Sequence, residues 1–359
     1  MKPTSALARR FGAVLTVTAL TALVAACGGN SVSSGSNAAD VGSTSSSSST
    51  AAVTTATTTS TVAGASSHGP ALVVGDQAGT GAQALLEAAG LLHKLPFPVK
   101  FADFTSGPPI LEAESSGSID IGGVGDAPPV FAAAGGSKVV IVGARRGNPS
   151  ASALLVPKGS SITSISQLKG KKIAVAQGSS ADYHILTVLN KAGLTTHDVQ
   201  LVYLQPAQAL AAFASKSVDA WDVWSPFIEE ALVQKGAKVL VNGNGYGANF
   251  SYEVASKSAV DNPAKAKEIK DYLTLLDQAY RWATTHPSAW AKTWAAATGL
   301  PTTVMDQAAR DDTTVPIPVN AQTEASEQSL VAAFAKAGLI PHSYSFAPYS
   351  STAFNASVG

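Results

Sequence analysis

The sequence predicts an α/β protein of two lobes, each a mixed, mostly parallel sheet flanked by helices, with two crossovers between them. Three observations carry this. Short β-branched, apolar runs alternate with helical apolar stripes from about Ala71 onward, the order that builds a parallel sheet with ligands gathering at the carboxyl ends of its strands. The alternation restarts after the loop Arg145, Arg146, Gly147, Asn148 and Pro149, and the turn-forming run Asn242 to Gly247 leads back into a further strand. Finally, 359 residues exceeds the length at which a single core usually stops growing.

In the first lobe, Ala71 to Gly75 reads as a strand, followed by a helix with Ala82, Leu85, Leu86 and Ala89 at helical spacing. Val99 to Phe104 is the second strand. The stretch Ser106 to Pro129 then packs two strand-to-helix turns around one short strand. Ser106 and Gly107 precede Pro108 and Pro109, residues tolerated in a helix's first turn, so a helix is expected over Pro109 to Ser116, stopping at Gly117. Ile119 to Val124 follows as a strand. Gly125, Asp126, Ala127, Pro128 and Pro129 repeat the turn, with Asp126 as an N-cap whose carboxylate accepts a free N–H. Each turn alone is an ordinary helix cap. Two helix starts aimed into one crevice make an anion site, because free N–H groups and the positive dipole end favour negative charge. Lys138 to Val142 adds another strand.

The first crossover is expected near Asn148 to Pro157, with Ala153 to Pro157 extended. Lys172 to Ala176 is then a strand, and Gln177, Gly178, Ser179 and Ser180 lead into a helix with Ile185, Leu186, Leu189 and Ala192 on one face. Ser179 and Asp182 have the spacing of a capping box. Strands at Val199 to Leu204, Val218 to Val223 and Lys238 to Val241 alternate with helices at Pro206 to Ala214 and from Pro226. The second crossover, near Val241 to Tyr252, returns to the first lobe. There Ile269, Tyr272, Leu273, Leu276, Ala279, Tyr280 and Ala283 form one stripe, and Pro287, Thr302 and Asn320 start further helices that pack on the first lobe. The lobes are therefore expected at 70–152 plus 251–359, and at 153–250. Trp282, Trp290 and Trp294 read as core or helix contacts.

Lys2, Arg9 and Arg10 precede the apolar run Phe11 to Val24, the layout of a secretory signal peptide over residues 1–26, and the run is shorter than the about 20 residues that span a bilayer. Cys27 is the only cysteine, which leaves no partner for an intrachain disulfide. Residues 27–69, rich in Ser, Thr, Ala and Gly, read as a flexible tether. A formal net charge of +0 and a hydrophobic fraction of 45% argue for a buried core and against nucleic acid, which calls for a basic face.

Enzymatic motifs are absent: no G-x-S-x-G elbow, no phosphate loop of the G-x-x-x-x-G-K-[ST] type, no H-E-x-x-H. His184 and His197 read as solvated or locally hydrogen-bonded, and no base is spaced to activate Ser179 or Ser180, so no catalytic residue, metal or cofactor is expected. Arg145 and Arg146 either supply a cation to a ligand or are solvated at the lobe junction. Trp221 and Trp224 are either core or ligand contacts.

SGPP, GSID and GDAPP at their spacing, with Asp219 to Phe227 reading D-A-W-x-x-W-x-P-F, resemble the signature of solute-binding proteins of ABC importers for aliphatic sulfonates, within the nitrate, sulfonate and taurine group. The resemblance runs from about Leu72 to about Pro341. It implies a type II periplasmic-binding-protein fold and a monomer that captures a small organic anion in the interlobe cleft and delivers it to permease and ATPase subunits. Carried over residue by residue, it places Gln77, Ser106, Gly107, Gly125, Asp126, Ser179, Ser180, Trp221 and Trp224 at the ligand. Val24 to Cys27 resembles a lipobox, implying lipid attachment at Cys27 and an extracytoplasmic, membrane-anchored location. Nitrate, taurine and a thiamine pyrimidine precursor are the alternative ligands. The rival from another class is an enzyme of the pyrimidine-synthase type, which carries a cysteine-rich motif that this chain lacks; a structural surface lipoprotein is the third. Asp76 departs from the pattern, since relatives have an uncharged residue before the glutamine matching Gln77. A carboxylate there disfavours a simple anion and suits a ligand amine.

Overall fold

Two separate sheets carry the chain, and helices on both faces bury most of the residues in their central strands. The computed structural model describes residues 59–62 (backbone only), 71–77, 81–247 and 249–357; the expected signal peptide, Cys27 and most of the expected tether lie outside them. Part of that tether, Thr59–Val62, in which all but Ser60 are β-branched, is a strand, β1.

The chain continues through β2 (Leu72–Gln77), α1 (Ala82–Ala88), β3 (Val99–Phe104), α2 (Gly107–Ser115), β4 (Ile121–Gly125), α3 (Ala127–Ala134) and β5 (Val139–Arg146). It then enters a second sheet with β6 (Ser152–Val156), β7 (Lys172–Val175), α4 (Ser180–Lys191), β8 (Gln200–Tyr203), α5 (Pro206–Ala214), β9 (Ala220–Trp224), α6 (Phe227–Lys235) and β10 (Lys238–Asn242). It returns through β11 (Phe250–Ser256), α7 (Lys257–Asp261), α8 (Pro263–Thr285), α9 (Pro287–Thr298), α10 (Thr302–Asp311), β12 (Val315–Ile317) and α11 (Ala321–Lys336).

The first sheet has seven strands in the order β1-β3-β2-β4-β11-β5-β12, the second five in the order β10-β6-β9-β7-β8. The sheets are mixed. Strand β2 runs parallel to β3 and β4, and β7 runs parallel to β8 and β9. Every other pairing is antiparallel, so parallel order does not dominate. The cause is the crossovers: β11 arrives from the other lobe and inserts between β4 and β5 against both, and β6 enters against β9 in the same way.

In the first lobe one apolar cluster lies beneath α1, α8, α9 and α10, with Leu72, Val74, Leu86, Tyr272, Leu276 and Trp294 buried. A second cluster on the opposite face joins Ile110, Val130, Tyr252, Val331 and Phe334. The buried residues of α8, Ile269, Tyr272, Leu273, Leu276 and Ala279, recur three and four apart, the spacing of one helix face. In the second lobe, Leu154, Ile173, Ile185 and Leu189 pack under α4, while Leu155, Phe213, Trp221 and Val223 pack under α5 and α6.

Candidate functional site

Helix starts define the cleft, but their side chains do not cap them as the sequence suggests. Ser106 and Asp126 are the N-caps of α2 and α3, and in each helix the next three residues are one ordinary residue and two prolines. An N-cap side chain accepts from the second or third helical N–H, and proline has none. Neither side chain therefore caps its helix. Ser106 Oγ instead donates to Gln205 Oε1 of the other lobe at 2.9 Å, as does Thr105 Oγ1 at 3.1 Å. The Asp126 carboxylate is 5% exposed and its Oδ1 has no partner. Burial pushes its pKa up to about 6, against the pull of the nearby Ser180 hydroxyl and Ala127 amide.

At α1 the helix start is already occupied. Asp76 Oδ1 accepts the Ala82 amide at 2.9 Å and Oδ2 accepts the Gln83 amide at 3.0 Å. Burial lifts this carboxyl to about 6 even so. In α4 the expected capping box does not close. Ser179 Oγ turns back to donate to the Ala176 carbonyl at 2.7 Å, and Asp182 Oδ2 accepts the Gly178 amide at 3.0 Å. The first amides of α4 are thus left without a side-chain cap. Gly178, at φ +71°, supplies the left-handed turn that brings the chain into this helix start, packed against Phe131 and Pro108 of the first lobe.

The lobes touch here. A Cβ placed on Gly125 would lie 2.0 Å from Ser180 Oγ, so glycine is what lets β4 meet α4. Tyr183 of α4 meets Phe334 of α11 at 5.7 Å between ring centres.

Between the sheets lies a cleft of about 1560 Å³, open mouth included. Gln77, Gly107, Gly125, Asp126, Ser179, Ser180 and Trp224 line it, contributed by both lobes. Gln77 is held by donating Nε2–H to the Gly123 carbonyl at 2.9 Å. Gly107 is confined by its surroundings, since a Cβ there would lie 2.8 Å from Pro128 Cγ. Ser106 and Trp221 are not among the lining residues. Ser106 is fully buried in its bond to Gln205, and Trp221 is 1% exposed in the core beside Phe213.

Other groups lining the cleft were either not assigned from sequence or left open there. His184, one turn along α4 from Ser180, holds Nδ1 at 2.9 Å from Asp222 and leaves its buried Nε2 without a partner. Burial opposes charge on this ring, but Asp222, with the Asn242 carbonyl and Asp126, outweighs it and raises the pKa. Arg145 is not solvated: it is 3% exposed, pairs with Glu253 Oε1 at 2.8 Å and lies 4.5 Å from the Tyr280 ring centre. Arg146 points away to Gln322. Asp312 and Trp290 come from the C-terminal layer. The signals for these were weak, because each pairing joins residues far apart in the chain. Among the described residues no group of His, Cys, Asp and Glu is arranged to hold a metal ion.

Two sheets joined by two crossings, with a cleft lined from both, define a two-lobed solute-binding architecture. Residues 109–290 match the family model described as NMT1/THI5 like. A relative from Escherichia coli (strain K12), named as an aliphatic sulfonates-binding protein, is 35% identical over 282 residues, covering 77% of this chain and 87% of its own. The alkanesulfonate-binding protein SsuA from Xanthomonas axonopodis pv. citri, solved bound to MOPS, superposes with a TM-score of 0.75 at 32% identity, covering 80% of this chain and 99% of that one. The periplasmic aliphatic sulphonate binding protein SsuA from Escherichia coli gives 0.69 at 33% identity, covering 78% and 92%. The chain belongs to the NMT1/THI5 like family.

Proposed function

We propose that this protein is the extracytoplasmic binding component of an ABC importer, capturing an aliphatic sulfonate between its lobes without chemically altering it. The observation that carries this is the meeting of Ser180, at an α4 start that no side chain caps, with Gly125 and Asp126 of the first lobe, inside a cleft that both lobes line. A sulfonate has three acceptor oxygens, so one head group can take N–H bonds from both sides and hold the lobes together. Hydrogen bonds to a charged group contribute about 1.5–3 kcal/mol each. Ligand bridging then favours the closed form, which the permease recognises. His184, its Nδ1 bound to Asp222, lies on the second-lobe side, and Asp222 raises its pKa and so favours the protonated ring. Similarity to sulfonate-binding relatives over most of their length supports the ligand class. Cys27 anchors the protein by lipid, and residues 28 onward space it from the membrane.

The pyrimidine-synthase reading is disfavoured by the single cysteine of the chain. Calorimetry and thermal shift over alkanesulfonates, sulfate esters, nitrate, taurine and thiamine pyrimidines test the proposal. Saturable one-to-one binding of alkanesulfonates, tighter than nitrate or pyrimidines, is the expected result; a preference for nitrate or pyrimidines overturns it.

A further inference from the structure

We propose that the end of the second lobe opposite the cleft is a docking face for membranes carrying anionic lipid head groups. This goes beyond the sulfonate reading and does not depend on it. Strand directions fix which loops meet there. β9 ends at the cleft on Trp224, and β7 and β8 run in the same direction, so all three start at the far end. β6 runs against β9, pairing Ser152 with Trp224, so its far end is Val156, beside Lys238 at the start of β10. Lys169, Lys171 and Lys172 precede or open β7, Lys216 lies ahead of β9, Lys158 follows β6, and Lys235 and Lys238 bracket the turn into β10. Lys169 pairs with Asp198 at 3.5 Å, and those two charges cancel. Six lysines then stand against one further carboxylate of these loops, Asp219, whose Oδ2 accepts the Lys172 amide at 2.8 Å. Six against one leaves an excess of five positive charges, on a chain whose formal net charge is +0.

These charges are turned outward. Five of the six lysines are exposed and Lys171 is half-buried, and among the described residues none of the six is in an ion pair. The buried carboxylates of the same lobe, Asp182, Asp222 and Glu229, lie towards the cleft, in the first turns of α4 and α6 and beside His184. Lys158, Lys171 and Lys216, with Ser160, Ser161 and Asp219, line a depression of about 590 Å³, open mouth included, with room for a phosphate group. The lysines spread across five strands, about 19 Å at a strand spacing of about 4.8 Å, so they match a field of head groups rather than one small anion. Val233 and Val239, 54% and 45% exposed, flank the same turn as Lys235 and Lys238 and bring apolar surface to this face. Residues 153–250 contain no arginine, whose planar fork suits a protein carboxylate, whereas lysine is a compact point charge suited to mobile phosphates. Base stacking calls for aromatic rings or arginine, and these loops have neither. Each lysine near an anionic membrane strengthens partitioning by about fivefold. Docked this way, the protein keeps its cleft, at the opposite strand ends, clear of the membrane.

The test is co-sedimentation of the mature Cys27→Ser protein, which cannot carry a lipid at that residue, with vesicles of phosphatidylcholine alone or mixed equally with phosphatidylglycerol. At about 0.1 M salt the protein should bind the mixed vesicles and not the neutral ones, and about 1 M salt, which cuts the screening length from about 10 Å to about 3 Å, should release it. Lys158→Gln, Lys216→Gln and Lys238→Gln together should weaken partitioning by about a hundredfold. The same change at Lys94, Lys138 and Lys292 of the first lobe alters net charge equally and should leave partitioning within about twofold of the parent. Both triple variants should melt with the parent, so that a loss is read as charge and not as unfolding. Failure to bind the anionic vesicles, equal binding to the neutral ones, or equal losses in the two triple variants overturns the proposal. So does release by inorganic phosphate at constant ionic strength, which would mark the depression as a soluble-anion site. Binding of polyglutamate without binding of vesicles overturns it as well, in favour of an acidic protein partner.

Discussion

Gly125 offers the sharpest perturbation of lobe closure. Its backbone is not in the left-handed region, so a side chain there strains nothing locally and acts only through what it meets across the cleft. In Gly125→Ala the new methyl lies 2.0 Å from Ser180 Oγ and 3.2 Å from Ser180 Cβ. Rotating the Ser180 hydroxyl relieves the first contact but not the second. Overpacking of this kind costs about 1–3 kcal/mol. Set against the closed form alone, that lowers its population relative to the open form by about 5-fold to 150-fold, and apparent affinity falls by the same factor. Gly125→Ala belongs at the low end and Gly125→Val at the high end. Calorimetry reads the affinity, and small-angle scattering reads a larger radius of gyration in the presence of ligand. Pairing Gly125→Ala with Ser180→Gly should restore much of both. Wild-type affinity and scattering in Gly125→Val would show that the lobes need not meet at this point.

Three further outcomes follow from individual groups. Burial holds the Asp126 carboxyl at about 6, so as pH falls through that value it gains a proton, a like charge beside Ser180 disappears, and alkanesulfonate affinity should rise. Asp126→Asn should remove most of that rise in calorimetry across the same range, leaving the part due to His184. Glu327 is buried with neither oxygen partnered, and burial raises its pKa well above the usual carboxyl value. The folded protein keeps this proton while the unfolded chain releases it, so the group costs stability as pH rises from about 4 towards neutrality. Denaturant melts should show Glu327→Gln matching wild type near pH 4 and more stable near pH 7, by an increment that grows with pH; equal increments at both values would sink this assignment. Cys27→Ser should move the protein from the membrane fraction to the soluble one, and membrane retention after signal cleavage would contradict lipid anchoring.

Much of the fold was legible because its strands are short apolar runs punctuated by proline and glycine. Helix starts at Pro108 and Pro128 were visible for the same reason, since few other contexts tolerate consecutive prolines. Those prolines also hid a detail. They remove the amides that Ser106 and Asp126 would have capped, which frees one side chain to bond across the cleft and leaves the other buried without a partner at Oδ1. Trp221 and Trp224 could have been separated by the two-residue period of β9. Trp221 and Val223 share the face packed beneath α5 and α6, whereas Asp222 points the other way to His184, and Trp224 follows it to the cleft. The pairing of Arg145 with Glu253, and the arrival of Asp312 and Trp290 at the cleft, had no such signal. These depend on β11 inserting between β4 and β5 and on the C-terminal helices reaching the cleft, which no local pattern encodes.

The central claim is that one sulfonate group is held between the lobes at the start of α4. A crystal structure with a simple alkanesulfonate locates the sulfur atom directly by anomalous scattering. The account predicts the sulfur beside the backbone amides of Ser180 and its neighbours, with at least one oxygen also bound by the first lobe near Gly125 and Asp126. A sulfonate bound by surface lysines, or contacted by one lobe alone, would contradict it.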